Sequence, residues 1–164
     1  MKRFSSAASL ALVVVAVLGL AGPAAAAEPV PFKGSLDGDV THTPVDARTD
    51  FVLVDAEGTS TQLGRFDVLV PHFVDTPTRT AEGYYEFTAA NGDTLIASFT
   101  GRATPTATPG VISIVETATI DPDLSTGRFA GATGSFVVER LFDRIAGTTT
   151  GSFEGTISLG VGAP

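Results

Sequence analysis

Three apolar rows of this chain each carry one ionisable residue. Alternate residues of a strand share a face. On that spacing Phe66, Val68, Val70, His72 and Val74 form one row, Ile112, Ile114, Glu116, Ala118 and Ile120 a second, and Phe136, Val138, Arg140 and Phe142 a third. A glutamate, an arginine and a histidine drawn into one apolar interior are a proton-transfer set. Glu116 would act as a general base with its pKa raised by burial. Arg140 would hold it ionised or anchor an anionic ligand, and His72 would shuttle a proton near neutral pH. The same residues admit a structural reading: Glu116 and Arg140 as a buried pair, or as outward groups if the register slips by one at a bulge, and His72 as a hydrogen-bonded core residue. Tyr84 and Tyr85 lie on opposite faces. Tyr85 shares its row with Phe87 and Ala89, which makes it the inward one, and its hydroxyl then needs a partner. The candidate catalytic residues are therefore Glu116, Arg140 and His72, and the candidate ligand-binding residues Tyr85, Glu116 and Arg140.

Other chemistries find little support. Asp121-Pro122-Asp123-Leu124-Ser125 and Asp37-Gly38-Asp39 place oxygens at alternate positions. Calcium takes six to eight oxygens, neither run supplies them, and Asp in a turn commonly caps backbone donors. The chain has no cysteine, which excludes thiol catalysis, Cys-ligated zinc and disulfides. His42 and His72 are its only histidines, too few for a His-rich metal site. No Gly-x-Ser-x-Gly elbow, phosphate loop, His-Glu-x-x-His or dinucleotide fingerprint occurs. No metal and no cofactor are expected.

The elements that must position these rows are strands. Beyond Glu28 no window keeps apolar residues at helical spacing without Gly, Pro or a β-branched run intervening. Thr, Val, Phe and Ile dominate, and turn residues recur about every ten positions, as in all-β sandwiches and barrels. The predicted strands are Phe32–Val40, Phe51–Glu57, Gln62–Val74, Arg79–Ala89, Asp93–Thr104, Val111–Ile120, Gly127–Asp143 and Thr148–Leu159, with Thr41–Asp50 a polar loop, Pro71 a bulge or edge, and Asn91-Gly92 a tight hairpin turn. Eight antiparallel strands in meander order suit an up-and-down barrel, which closes to remove its edges. The alternative is an open β-sandwich. Glycines inside strands permit the bends of a small barrel, and inward Gly and Ala would leave room in its lumen.

Residues 1–27 have the three parts of a secretory signal. Lys2 and Arg3 give the charged start, Leu10–Leu20 is apolar, and Ala25-Ala26-Ala27 offers small residues before a cleavage point after Ala27. An uncleaved anchor helix is the other reading of this stretch. Residues 28–164 are then a single secreted domain with 8 basic and 18 acidic residues, net −10. That balance argues against a nucleic-acid partner and against docking on anionic lipid.

Two passages carry a resemblance. Thr126-Gly-Arg-Phe-Ala-Gly-Ala-Thr-Gly-Ser-Phe136 and Gly151-Ser-Phe-Glu-Gly-Thr-Ile157 resemble blocks of the allene oxide cyclase-like and dirigent barrel superfamily, in particular its small secreted bacterial members; the Ala90–Leu95 hairpin is similar too. The resemblance implies an eight-stranded antiparallel barrel, a dimer or trimer, and a mostly apolar lumen without a tightly held cofactor. Plant members close rings or steer radical coupling. Cyclase pockets use Asn and Cys side chains, whereas this chain has no Cys and one Asn, in a turn. The fold carries over and that reaction does not. The expected function is luminal binding of a small apolar or amphipathic molecule. The alternatives are an isomerase or cyclase acting on such a molecule, and a structural or assembly module with a filled barrel.

Overall fold

The computed structural model describes residues 27–160, so the expected leader lies, apart from its last residue, outside the described residues. Eight strands follow one another: β1 (Val30–Pro44), β2 (Thr49–Ser60), β3 (Gly64–Asp75), β4 (Thr80–Ala89), β5 (Thr94–Pro105), β6 (Val111–Ile120), β7 (Thr133–Asp143) and β8 (Thr148–Ser158). Each pairs antiparallel with the next, and β8 pairs back onto β1, closing the barrel. Closure excludes the sandwich, because no strand is left with an unpaired edge. The alternation of side chains decides which way the sheet faces. Phe32 and Leu36, Val52 and Val54, Phe66, Val68 and Val70, Leu95, Ala97 and Phe99, and Phe136 and Val138 all point inward and are buried. Between them Asp37, Asp39, Asp55, Glu57 and Asp67 face out. An apolar interior inside a charged exterior is the inverse of a transmembrane barrel.

Several boundaries differ from those expected. The polar run Thr41–Asp50 is not a loop: β1 continues to Pro44 and β2 begins at Thr49, with Thr41 opposite Leu53 and His42 opposite Val52. Cross-strand pairing overrides the polar composition there. Pro71 makes no bulge. The β3–β4 ladder passes from Leu69↔Glu86 to His72↔Gly83, three residues on each strand, so register is kept and His72 faces inward. The glycine block does not open as a strand at Gly127. Gly127–Phe129 is a single 3-10 turn, and β7 starts at Thr133. Asn91-Gly92 is not a two-residue turn either. Ala90–Asp93 connect β4 to β5, and of the central pair only Gly92 takes positive φ (88°), as a type I turn closed by a left-handed glycine requires.

The two ends of the barrel are unlike. At one, Phe32, Phe66, Phe87, Phe136 and Phe153 interlock, with ring centroids 4.9–6.3 Å apart. Leu63, and Phe129 and Ala132 from the β6–β7 connection, are buried with them. Each buried phenylalanine contributes about 1.5–3 kcal/mol, so this plug is a main source of the fold's stability. Glycine makes it possible. A Cβ on Gly34 would meet the Phe153 ring at 2.5 Å, and one on Gly58 the Phe66 ring at 2.6 Å. The inward glycines therefore do not leave an open lumen, as expected from the sequence. Bulky neighbours occupy their space.

Candidate functional site

Halfway along the axis the apolar filling gives way to a charged layer. Glu116 on β6 is wholly buried. Arg140 on β7 donates to it through Nε (2.8 Å to Oε2) and Nη2 (2.6 Å to Oε1), and the Tyr85 hydroxyl on β4 donates to Oε2 at 2.5 Å. Three donors on one carboxylate decide its state. Burial pushes the Glu116 carboxyl up, but the Arg140 charge, its hydrogen bonds and the Tyr85 hydroxyl together outweigh burial and hold it below the ordinary range. The expectation of a raised pKa and a general base at Glu116 is thus corrected: the carboxylate is ionised and fully engaged. Burial pushes the Tyr85 phenol well up, with the Glu116 charge adding to it. Arg140 is buried as well, yet the Glu116 charge raises its pKa and keeps it protonated.

Glycines opposite these side chains make the layer fit. His72 faces Gly83, Glu116 faces Gly101, and Arg140 faces Gly151 across their ladders. A Cβ at Gly101 would lie 2.5 Å from Glu116 Cγ, and one at Gly151 2.5 Å from Arg140 Cβ. A Cβ at Gly83 would overlap the His72 Cβ and the Pro71 carbonyl. Each bulky polar group thus lies over the empty side of its cross-strand neighbour.

His72 belongs to the same layer without bonding to the trio. Its ring packs edge-on against Phe99, 5.6 Å between centroids, and its Nδ1 lies 2.9 Å from the Val70 carbonyl. A carbonyl only accepts, so Nδ1 carries the proton and Nε2 of the neutral ring presents a lone pair. Among the described residues no buried side-chain N or O lacks a partner. Nε2, which has none, therefore borders accessible space. Burial lowers the His72 pKa, the Val70 bond raises it in part, and Arg140 lowers it further. The ring is neutral at pH 7.

Above this layer the barrel opens into a cup of about 680 Å³, with His72 and Arg140 at its floor. Val52, Val74, Ala103, Ile112, Ile114 and Phe142 form its wall. The rim, made by the paired ends of β1 and β2 and by the β3–β4, β5–β6 and β7–β8 connections, brings His42, Asp50, Arg79 and Arg144. His42 stacks on Phe142 at 5.4 Å and lies 3.9 Å from Asp50. Burial lowers its pKa, against the raising effect of Asp50. Two hollows of about 710 and 720 Å³ lie elsewhere, on the outer wall around Phe73, Glu82 and Thr100. They are shallow grooves lined mostly by outward-facing side chains, although the first also borders His72 and Phe99.

All four sequence candidates thus fall in one layer. Tyr85, Glu116 and Arg140 bond to one another, and His72 and Arg140 reach the cup. Tyr85 and Glu116 do not line it. The acidic runs resolve locally: Asp121 accepts from the backbone N–H groups of Asp123 and Leu124 and caps its turn. Sequence reasoning missed His42, Asp50, Arg79 and Arg144. His42 had a signal, since it continues the inward alternation of Leu36, Gly38 and Val40. Arg79 and Arg144 sit in connections, where alternation says nothing. No family model, curated protein or solved structure matches this chain.

Proposed function

We propose that the protein is a secreted β-barrel that binds one small amphipathic molecule in the open cup. One observation carries this reading: an apolar-walled cavity of about 680 Å³ whose floor offers the unpartnered Nε2 of His72. Ligand sites are concave, mainly apolar, of about 300–1,000 Å³, and carry a few fixed polar groups. Export rests on the three-part pattern of residues 1–27. Kinship with the allene oxide cyclase-like and dirigent barrels, and assembly as a dimer or trimer, rest on the glycine–phenylalanine blocks alone.

Within this reading Arg140 touches the ligand, while Glu116 and Tyr85 act behind it by fixing the guanidinium. An isomerase activity would rest on His72, the one proton acceptor at the floor, since Glu116 is occupied. A filled structural barrel describes the plugged half and leaves the cup without a role.

Isoleucine-methyl NMR tests the reading. The chain has six isoleucines, of which Ile112 and Ile114 line the cup and Ile157 lies in the plugged end. Saturable shifts of Ile112 and Ile114 with octanol or 4-ethylphenol, Ile157 staying still, are expected. Shifts led by Ile157, or none across such a panel, overturn it.

A further inference from the structure

The cup has the opposite charge character to the rest of the molecule. Of the 8 basic residues beyond residue 27, three line it, Arg79, Arg140 and Arg144. Of the 18 acidic residues only Asp50 does. Glu116 offsets Arg140 from below, and Asp50 lies beside His42. That leaves Arg79 and Arg144, neither of which has an ion-pair partner among the described residues. Arg79 also holds a left-handed backbone, φ 58°, the one non-glycine residue among those described to do so. A glycine would adopt this conformation at less cost, yet the position carries a cationic side chain aimed at the rim.

The depth of the cup limits what enters. Arg140, Phe142 and Arg144 climb the inner face of β7 and the start of the next connection. Four residues at about 3.3 Å each, on strands tilted about 35–45°, span about 10 Å of axis. Below that the charged layer and the phenylalanine plug close the barrel. A long alkyl chain has nowhere to extend.

We propose that the ligand is a short organic carboxylate about 10 Å long, its apolar body against Ile112, Ile114 and Phe142 and its carboxylate between Arg79 and Arg144 at the rim. This rests on the cup being the binding site. An arginine–carboxylate contact is a strong, charge-assisted hydrogen bond, and at an otherwise acidic protein the rim would also select against cations.

The test compares 4-phenylbutyrate with 4-phenylbutyramide, which has the same shape without the charge, and with hexadecanoate. Binding is read from the Ile112 and Ile114 methyls of the full protein. The carboxylate is expected to bind at least about ten-fold more tightly than the amide, a factor matching one charge-assisted contact. That advantage shrinks in Arg79→Gln and in Arg144→Gln and weakens with added salt, and hexadecanoate binds no more tightly than 4-phenylbutyrate. Equal binding of acid and amide overturns the carboxylate inference and leaves the cup reading standing. An advantage untouched by both substitutions overturns the rim assignment. A tighter hexadecanoate overturns the length limit. No methyl shift with any of the three removes both readings.

Discussion

Replacing Arg140 by methionine removes the charge that holds Glu116 ionised while keeping an apolar side chain of similar reach. Glu116 is then a wholly buried carboxylate with one remaining donor, Tyr85. Its least costly state is protonated. Its ordinary pKa is 4.5, so protonating it at pH 7 spans 2.5 pH units, at 1.36 kcal/mol each about 3.4 kcal/mol. This lies in the range of about 3–5 kcal/mol for breaking a buried ion pair from one side. The sign of the pH dependence is the sharper test. In Arg140→Met the native state keeps a proton that the unfolded state releases above pH 4.5. The destabilisation relative to the parent therefore grows by about 1.4 kcal/mol per pH unit between 4.5 and 7, and most of it disappears near pH 4.5. Glu116→Gln/Arg140→Met carries no such proton, so its cost is flat across this range and at least about 2 kcal/mol smaller at pH 7, as expected when both members of a buried pair are removed. Urea unfolding followed by circular dichroism at pH 4.5, 5.5 and 7 gives each value. A cost below about 1 kcal/mol at pH 7, or one independent of pH, refutes the ionised, three-donor description of Glu116.

Three further outcomes follow from the same layer. Tyr85→Phe removes one charge-assisted donor and leaves Arg140 in place, so it costs about 1.5–3 kcal/mol; thermal melts that match the parent's contradict the 2.5 Å bond. Gly101→Ala drives a methyl into Glu116 Cγ, which three hydrogen bonds hold in place, at about 1–3 kcal/mol. Pairing it with Glu116→Ala should relieve the collision, and purely additive costs would disprove the steric link. The parent loses stability on acidification in two stages. His72 has a folded pKa below 6.5, so the unfolded chain takes the proton first and the loss begins near pH 6.5. Glu116 has a folded pKa below 4.5, so its contribution is present above 4.5 and lost as pH falls through the folded value. A melting temperature that rises between pH 7 and pH 5 contradicts the His72 shift, and one that stays level as pH falls from about 4.5 to about 3 contradicts the Glu116 shift.

The barrel and the polar layer were legible for one reason. A strand's period of two is strict, so once the register holds past Pro71 and the glycine block, as it does, the three rows place His72, Glu116 and Arg140 inside a closed sheet. Tyr85 follows from its row-mates Phe87 and Ala89. The interaction among them was not legible, because alternation assigns a face without a height. Whether Glu116 meets Arg140 or faces it across a void depends on shear, which the sequence does not display. This is why burial alone suggested a raised pKa at Glu116. Composition also misled at both ends of the chain's polar scale. Thr41–Asp50 looks like a loop and is mostly strand, because β2 supplies the ladder for Thr41–Pro44 well past the point where β8 stops pairing with β1; the inward glycines look like vacancies and are seats for Phe153, Phe66, Glu116 and Arg140. The rim arginines lie in turns, where only the folded connections bring Arg79 and Arg144 to one opening.

The charged layer explains why a barrel this small has a cup at all. Were positions 72, 116 and 140 apolar, no charged layer would end the phenylalanine packing of the lower half at this height. An ionised Glu116 takes three donors, two from Arg140 on the neighbouring strand β7 and one from Tyr85 on β4. That lattice caps the apolar core. It also presents to the space above it a guanidinium that cannot turn away, because two of its nitrogens are committed to the carboxylate. Under the proposed function, a guanidinium held fixed by Glu116 beneath an apolar wall would need no reordering on binding, a condition for holding a small molecule well. The pair is therefore best understood by what it organises. On its own it yields little net stability over a hydrophobic filling. The double variant Glu116→Gln/Arg140→Met should fold about as well as the parent that keeps the pair, and lose the cup's floor.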